Sequence, residues 1–329
     1  LRSLVAAPAE NGPLYGLTNE GYLVRSNDRG ASWSYLPLPA LIRGTPLRSR
    51  GFIGMDYNHP QTLYIGASTQ GLWRSTDAGM TWAKRSDIQA GPITVSLDNP
   101  DQLWAGVPWN SGFESALVHS TDGGLTWSQA GFGLNGEVAS PILIDPQAHN
   151  VMFLITNTGP RGGATLYRTT AAMWEPLPTA PLGFPVSGGP GFGLMFDSET
   201  RGLYVGNDDV LFVSHNAYLP DRDAITWDYV HDFVVPLRAL PLAVGSGPDG
   251  GALYASLYDF ISAHGRTLRS DDHGVTWTRL DIPPYEQLIL PGGPAARVFG
   301  YPWSNIIQAD VPASPNHLLY RSTDAGAIW

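Results

Sequence analysis

The stretch Ser75-Thr76-Asp77-Ala78-Gly79-Met80-Thr81-Trp82 decides how this chain is read. Its spelling, Ser-x-Asp-x-Gly-x-x-Trp, returns at Ser26 to Trp33, Ser120 to Trp127, Ser270 to Trp277 and Ser322 to Trp329. Two worn copies fill the gaps: Arg168-Thr169-Thr170-Ala171-Ala172-Met173-Trp174, and Ser214-His215-Asn216 followed, after an insert, by Thr226-Trp227. The closing tryptophans therefore stand 45 to 53 residues apart along the chain. A period of that size is the signature of a repeat architecture and has to be read before any local pattern.

Between boxes each unit follows one grammar: an apolar run ending in Asp, a Pro/Asn/Gly turn, a Leu-Tyr or Leu-Trp strand, a variable loop, a strand entering the box and a strand leaving its Trp. The second unit spells it as residues 52–56, 63–67, 71–75 and 82–85, four short strands named A to D. One such sheet cannot bury both faces alone, whereas radial repetition packs each sheet on its neighbours. The expectation is an all-β fold, a seven-bladed β-propeller with four-stranded antiparallel blades, filling residues 1–329 as a single domain. The seventh unit stops at Trp329, before its D strand. Leu1 is not an initiator methionine, which suits a removed leader or a start partway into a longer chain.

The box falls on the C–D hairpin. Its Ser and Asp oxygens suit the backbone N–H groups of the turn, its Gly tolerates positive φ, and its Trp is a large apolar wedge between sheets. Copies spread around a ring cannot share one reaction centre, so Asp28, Asp77, Asp122, Asp272 and Asp324 are read as structural. Asp56, Asp98, Asp145 and Asp197, each at an A–B turn, are read the same way.

Composition narrows the function. With 38 Gly and 28 Pro beside 11 Trp, 14 Tyr and 11 Phe, the chain is turn-rich yet built to pack. The formal net charge of −10 disfavours nucleic acid and anionic membrane surfaces. Lys84 is the only lysine, so almost all the positive charge is guanidinium, which suits carboxylate, phosphate or sugar-hydroxyl contacts. There is no cysteine, and the longest apolar candidate, residues 234–244, is broken by Pro236, Arg238 and Pro241, so no membrane insertion is expected. The 8 histidines have no ligand spacing, and the Gly-rich stretches lack the Lys-Ser/Thr of a phosphate loop. No metal and no cofactor is expected.

The five clear boxes resemble the Asp-box, or bacterial neuraminidase, repeat, and on that resemblance the chain is identified as a member of the sialidase superfamily of β-propellers. The Leu-Tyr strand after an Asp-Pro turn, as in Asp145-Pro146 ahead of Phe153, is similar to the xyloglucanase and sortilin style of repeat. The early Phe/Tyr-Arg-Ile-Pro signature of true sialidases has only Ile42-Arg43-Gly44-Thr45-Pro46 as its nearest counterpart. The resemblance implies an extracytoplasmic protein, secreted or periplasmic; a monomer is expected.

If boxes mark one face, strand alternation sends the B–C and D–A loops to the other, where the sequence does not repeat. Those loops offer carboxylates for a catalytic pair, Glu114, Glu137 and Asp259. They also offer ligand-binding arginines and aromatics, Arg43, Arg50, Trp109, Arg161, Tyr258 and Trp303. Sugar rings need aromatic faces and polar forks, and glycoside hydrolysis needs two carboxylates across one bond. Two functions stay open: a binding or scaffolding module presenting this face to glycan or protein, and a glycoside hydrolase acting there. If the box is a turn with a wedge, Trp82→Ala will lower unfolding stability several times more than Asp77→Ala. Equal losses in denaturant titrations would refute that ranking.

Overall fold

Short apolar runs punctuated by Gly, Pro and Asn turns become strands here, because none is long enough for a stable helix. The computed structural model describes residues 3–7, 12–18, 21–28, 32–40, 42, 51–108, 116–138, 142–145, 147–157, 164–169, 173–178, 192–197, 200–207, 210–232, 242–245, 252–259, 264–280, 285–289, 298–302 and 320–322.

The strands pair with their sequence neighbours as antiparallel sheets. The first sheet is β1 (Ser3–Ala6), β2 (Leu14–Leu17), β3 (Leu23–Ser26) and β4 (Ser34–Leu36). The second is β5 (Gly51–Met55), β6 (Leu63–Ala67), β7 (Leu72–Ser75) and β8 (Ala83–Ser86). The third is β9 (Ile93–Val95), β10 (Leu103–Gly106), β11 (Leu117–Ser120) and β12 (Ser128–Gln129). The fourth has five strands, β13 (Glu137–Val138), β14 (Leu143–Asp145), β15 (Ala148–Asn157), β16 (Ala164–Thr169) and β17 (Trp174–Pro176). Its first two strands both pair with β15, so the A position there is split in two. The fifth is β18 (Phe192–Asp197), β19 (Gly202–Asn207), β20 (Val210–Ser214) and β21 (Asp228–Asp232). The sixth is β22 (Leu242–Gly245), β23 (Ala252–Asp259), β24 (His264–Ser270) and β25 (Thr278–Leu280). The last group is β26 (Tyr285–Ile289), β27 (Val298–Pro302) and β28 (Tyr320–Ser322).

This corrects the expectation of seven four-stranded blades. Six sheets carry four or more strands, and β26-β27-β28 is a three-stranded sheet. Among the described residues the propeller thus has six complete blades. Among the described residues no outer strand pairs on β28, so the last group lacks the D position that every complete blade fills.

The first strands of the sheets line the axis. β1 lies beside β5 and β5 beside β9, while β14, β18, β22 and β26 follow one another and β26 returns to β1. Between β9 and the fourth blade, Ile142 N–H donates to Thr94 Oγ1 at 3.0 Å. Apolar clusters lie between consecutive blades and no single centre dominates. One joins Val5, Tyr15 and Leu23 of the first blade to Ile53, Leu63 and Ile65 of the second. Others join the second to the third, and so on to the sixth. Each fully buried aliphatic or aromatic side chain in such a cluster contributes roughly 1.5–3 kcal/mol, and each is lost if the neighbouring blade is absent.

The box turn is held by its own side chains. In the second blade the Gly79 N–H donates to Ser75 Oγ at 2.9 Å, and Ser75 Oγ donates to Asp77 Oδ1 at 2.8 Å. Asp77 also accepts the Thr81 N–H at 2.8 Å and the Thr81 hydroxyl at 2.6 Å. The Trp82 indole N–H donates to the Gly79 carbonyl at 3.1 Å. The third and sixth blades repeat this pattern through Ser120, Asp122 and Thr126 and through Ser270, Asp272 and Thr276.

The worn copies preserve the logic with other atoms. In the fifth blade Asn216 Oδ1 accepts the Ser214 hydroxyl at 2.9 Å and the Thr226 N–H at 3.0 Å, closing the inserted loop as Asp77 closes the short one. Where the box glycine is gone, the indole turns to the preceding blade. Trp174 Nε1 donates to the Ala130 carbonyl and Trp227 Nε1 to the Pro178 carbonyl, both at 2.9 Å. At the A–B turns, Asp56, Asp145 and Asp197 are buried. Asp98 departs from that series. Ser96 occupies the buried position in the third blade and accepts the Asp98 N–H at 3.1 Å, while the Asp98 carboxylate reaches His149 at 2.6 Å.

The box glycine also locks blade to blade. Gly79, Gly124 and Gly274 have φ of 86°, 88° and 93°. A Cβ at these positions would lie 2.9 Å from Leu36 Cδ1, 2.3 Å from Leu72 Cδ2 and 2.5 Å from Val230 Cγ1, each on the preceding blade. Gly124→Ala therefore carries both a backbone and a packing penalty, and should cost about 1–3 kcal/mol. In a Leu72→Ala background the same change should cost less, because only the φ penalty remains. Strict additivity in a double-mutant cycle measured by chemical denaturation would show that the two residues do not interlock.

Candidate binding face

The box face is poorly suited to acid–base chemistry. The Asp77 carboxyl is held down at about 2, first by the Thr81 hydroxyl, then by the Thr81 N–H and the Ser75 hydroxyl. Asp28 and Asp272 are held at about 2 by Ser32 and Thr276 in the same way, and Asp122 well below the usual carboxylate range by Thr126. A carboxylate so acidic carries no proton at neutral pH, and its oxygens are already occupied by the turn.

The opposite end of each blade collects the residues that do not repeat. Glu137 opens β13 and pairs with Asn157, the last residue of β15 before the B–C connection. Tyr258 and Asp259 end β23, in register with Gly265 and His264. Asn207 and Val210 flank the same connection in the fifth blade. Three of the residues singled out from sequence, Glu137, Tyr258 and Asp259, therefore stand at strand ends on the side away from the boxes. Glu114, Arg43, Arg50, Trp109, Arg161, Trp303 and the box residue Asp324 lie outside the described residues.

Many of the arginines serve the fold. The residue before the box on the C strand is in register with an aromatic residue on B: Tyr15 with Arg25, Tyr64 with Arg74, Phe153 with Arg168, Tyr254 with Arg269 and Phe299 with Arg321. In the first two the guanidinium carbon lies 5.6 and 5.5 Å from the ring centre. Arg74 reaches Asp101 at 2.7 Å in the next blade, and Arg85 donates to the Gly123 and Asp122 carbonyls at 2.8 and 2.7 Å. The fully buried Arg168 donates to the Ala217, Leu219 and Pro220 carbonyls of the fifth blade's insert and to Glu175. Arg201 pairs with buried Asp145 and lies 3.6 Å above the Tyr218 ring. In the third blade the row is broken by His119, stacked on Trp104 at 4.8 Å, and burial pushes its imidazole pKa down.

Two signals were available in sequence and went unread. In five of the seven units the residue before the closing Trp carries a hydroxyl, Ser32, Thr81, Thr126, Thr226 or Thr276, whereas Met173 and Ile328 stand in the other two. The Arg before the box returns at Arg25, Arg74, Arg168, Arg269 and Arg321. Among the described residues no three His, Cys, Asp or Glu side chains converge as a metal site, and no helix is long and apolar enough to cross a membrane.

No family model matches the chain. It is 26% identical over 255 residues to a xyloglucanase of a Paenibacillus species, a match covering 65% of this chain and 24% of that protein. It is 29% identical over 244 residues to a xyloglucanase of Acetivibrio thermocellus, covering 63% of this chain and 27% of that protein. The chain thus spans about a quarter of the length of these curated relatives. Among solved structures it is similar to a GH74 xyloglucanase from Xanthomonas campestris, with a TM-score of 0.64, 16% identity and coverage of 97% of this chain and 53% of that one. These matches correct the sialidase-superfamily assignment: the fold is that of a xyloglucanase-like propeller. The boxes misled because they report the turn and not the family.

The low carboxyl pKa values carry a prediction about acid. A folded-state value below the unfolded one adds stability that is complete above about pH 4. It is lost as pH falls toward the folded value, about 2 for Asp77. Asp77→Asn, which copies the arrangement of Asn216, should be less stable than the parent at pH 5, with the gap closing between pH 4 and 2. A gap independent of pH in thermal melts would rule out this linkage.

Proposed function

We propose that the face bearing the B–C and D–A loops binds a neutral, xyloglucan-like glycan, and that the chain takes part in its hydrolysis outside the cytoplasm. The observation that carries this reading is the convergence of two independent facts. The relatives matched over most of the chain are xyloglucanases, and Glu137 and Asp259 stand at strand ends on the one face whose sequence does not repeat.

Glycoside hydrolysis needs one carboxyl to protonate the leaving oxygen and a second to activate water or attack the sugar, about 5–10 Å away across the bond. In this reading Glu137 and Asp259 supply that chemistry, with Glu114 as the third carboxyl. Trp109, Tyr258 and Trp303 stack against sugar rings, and Arg43, Arg50 and Arg161 hold hydroxyls through their planar forks. The chain does so as a monomer. A module that binds glycan without cutting it is the second reading. It is favoured by the use of the box acids as turn caps, which leaves only the loop acids for chemistry.

The two readings separate on one panel of xyloglucan, unbranched β-glucan and sialylated glycan, scored for binding and for release of reducing ends. Hydrolysis of xyloglucan should fall about 100-fold or more in Glu137→Gln or Asp259→Asn, with binding retained. Binding without release would overturn the hydrolase and leave the binding module. No binding to any neutral glycan would overturn both.

A further inference from the structure

A second place for a glycan lies at the rim of the first blade. An open cleft of about 600 Å³ is lined there by Tyr22, Leu23, Tyr35, Leu36, Pro37 and Leu38. Tyr22 ends the B–C turn, Tyr35 is the middle of the outer strand β4, and their rings meet edge to face with centres 5.7 Å apart and planes at 72°. Both are exposed, Tyr35 by 75% and Tyr22 by 39%, so two large phenol rings meet the solvent.

The platform is pre-organised. The Tyr22 carbonyl accepts the Thr18 N–H at 2.8 Å and the Tyr22 N–H donates to Thr18 Oγ1 at 3.1 Å, which fixes the turn that carries the ring. Tyr35 is paired with Val24 in the β3–β4 ladder. Beneath them Leu36 and Leu38 pack with Trp82 onto the cluster shared by the first two blades. Leu36 is further held by the box glycine of the second blade, which leaves no room for a Cβ beside it. A floor locked this way loses little freedom when a ligand settles on it.

The chemistry of the lining selects the occupant. Among the described residues its lining has no carboxylate, guanidinium, ammonium or imidazole to offer an ionic ligand, and the net charge of −10 repels polyanions. An extended peptide would add to the edge of β4, but Pro37 and Pro39 follow the strand immediately and have no N–H to donate. A pyranose ring presents an apolar C–H face to a tyrosine and hydroxyls to the phenol oxygens and backbone. We propose that this rim cleft is an accessory binding site for a neutral β-glucan chain, at the outer edge of the loop-bearing face. It would gather polymeric substrate onto the blade edge and raise its effective concentration at the mouth.

This inference rests on the glycan reading of the preceding section, and its test is arranged to fail separately. Binding of polymeric xyloglucan and of a short xyloglucan oligosaccharide to the full chain is measured by calorimetry, beside thermal melts of each variant. Tyr35→Ala and Tyr22→Ala should each weaken polymer binding about five- to ten-fold, the scale of one lost aromatic contact. Turnover of the short oligosaccharide and melting temperature should be unchanged, and Tyr35→Trp should retain polymer affinity. Polymer binding by the parent that is unaffected in both alanine variants overturns the rim site and leaves the glycan reading standing. No polymer binding by the parent overturns both.

Discussion

The structure depends on one close approach repeated around the ring: the box glycine of one blade against a branched side chain of the blade before it. At Gly124 the gap admits no methyl group, since a Cβ would lie 2.3 Å from Leu72 Cδ2. The turn that presents the glycine is fixed from inside, by Ser120 and Asp122, and its backbone has the positive φ that glycine alone adopts cheaply. The indole of Trp127 then donates both to the Gly124 carbonyl and to Ser86 on the outer strand of the second blade, at 3.2 and 3.1 Å. One eight-residue segment therefore sets its own turn, fills the groove between sheets and measures the distance to the preceding blade.

That arrangement explains which parts of the box can decay. The fourth blade has lost Asp and Gly, yet Trp174 is buried and its N–H reaches the preceding blade directly. The fifth has exchanged Asp for Asn and accepted an insert, and Arg168 of the fourth blade holds that insert by its carbonyls. A buried guanidinium is costly unless its donors are satisfied; here carbonyls from another blade and Glu175 take up both Nη groups, while the buried Nε–H has no partner among the described residues. Cohesion between blades can be rebuilt from different atoms, provided something large fills the groove and something polar crosses it.

Strand positions were legible because their signal is local. The second blade was read as 52–56, 63–67, 71–75 and 82–85, and its strands are 51–55, 63–67, 72–75 and 83–86. The number of complete blades was not legible, because the count rested on closing tryptophans. A Trp marks where an outer strand should start, and among the described residues no outer strand pairs on β28. Asp98 misled for a similar reason. A carboxylate two residues beyond the true turn position looks the same in sequence, and only the burial of Ser96 distinguishes them. The sialidase assignment failed because the box encodes a hairpin, which many propellers need, whereas the similarity to xyloglucanases is spread thinly over some 250 residues.

The same contrast explains why the candidate face is only partly readable. A residue that serves the fold recurs in every blade, so its role can be inferred by counting. Arginine shows how far this goes: a composition that hinted at ligand contacts resolves, at Arg25 and Arg74, into a row of cation–aromatic pairs along the C strands. A residue that serves a ligand occurs once, since a single substrate breaks the symmetry of the ring. Glu137 and Asp259 satisfy that condition, and they also sit where the repeat is irregular, at the split inner strand of the fourth blade and at the extended β23–β24 hairpin of the sixth. Departures from the repeat on the face away from the boxes are therefore the positions at which specific recognition is physically free to evolve, because changing them leaves the interlock between blades intact.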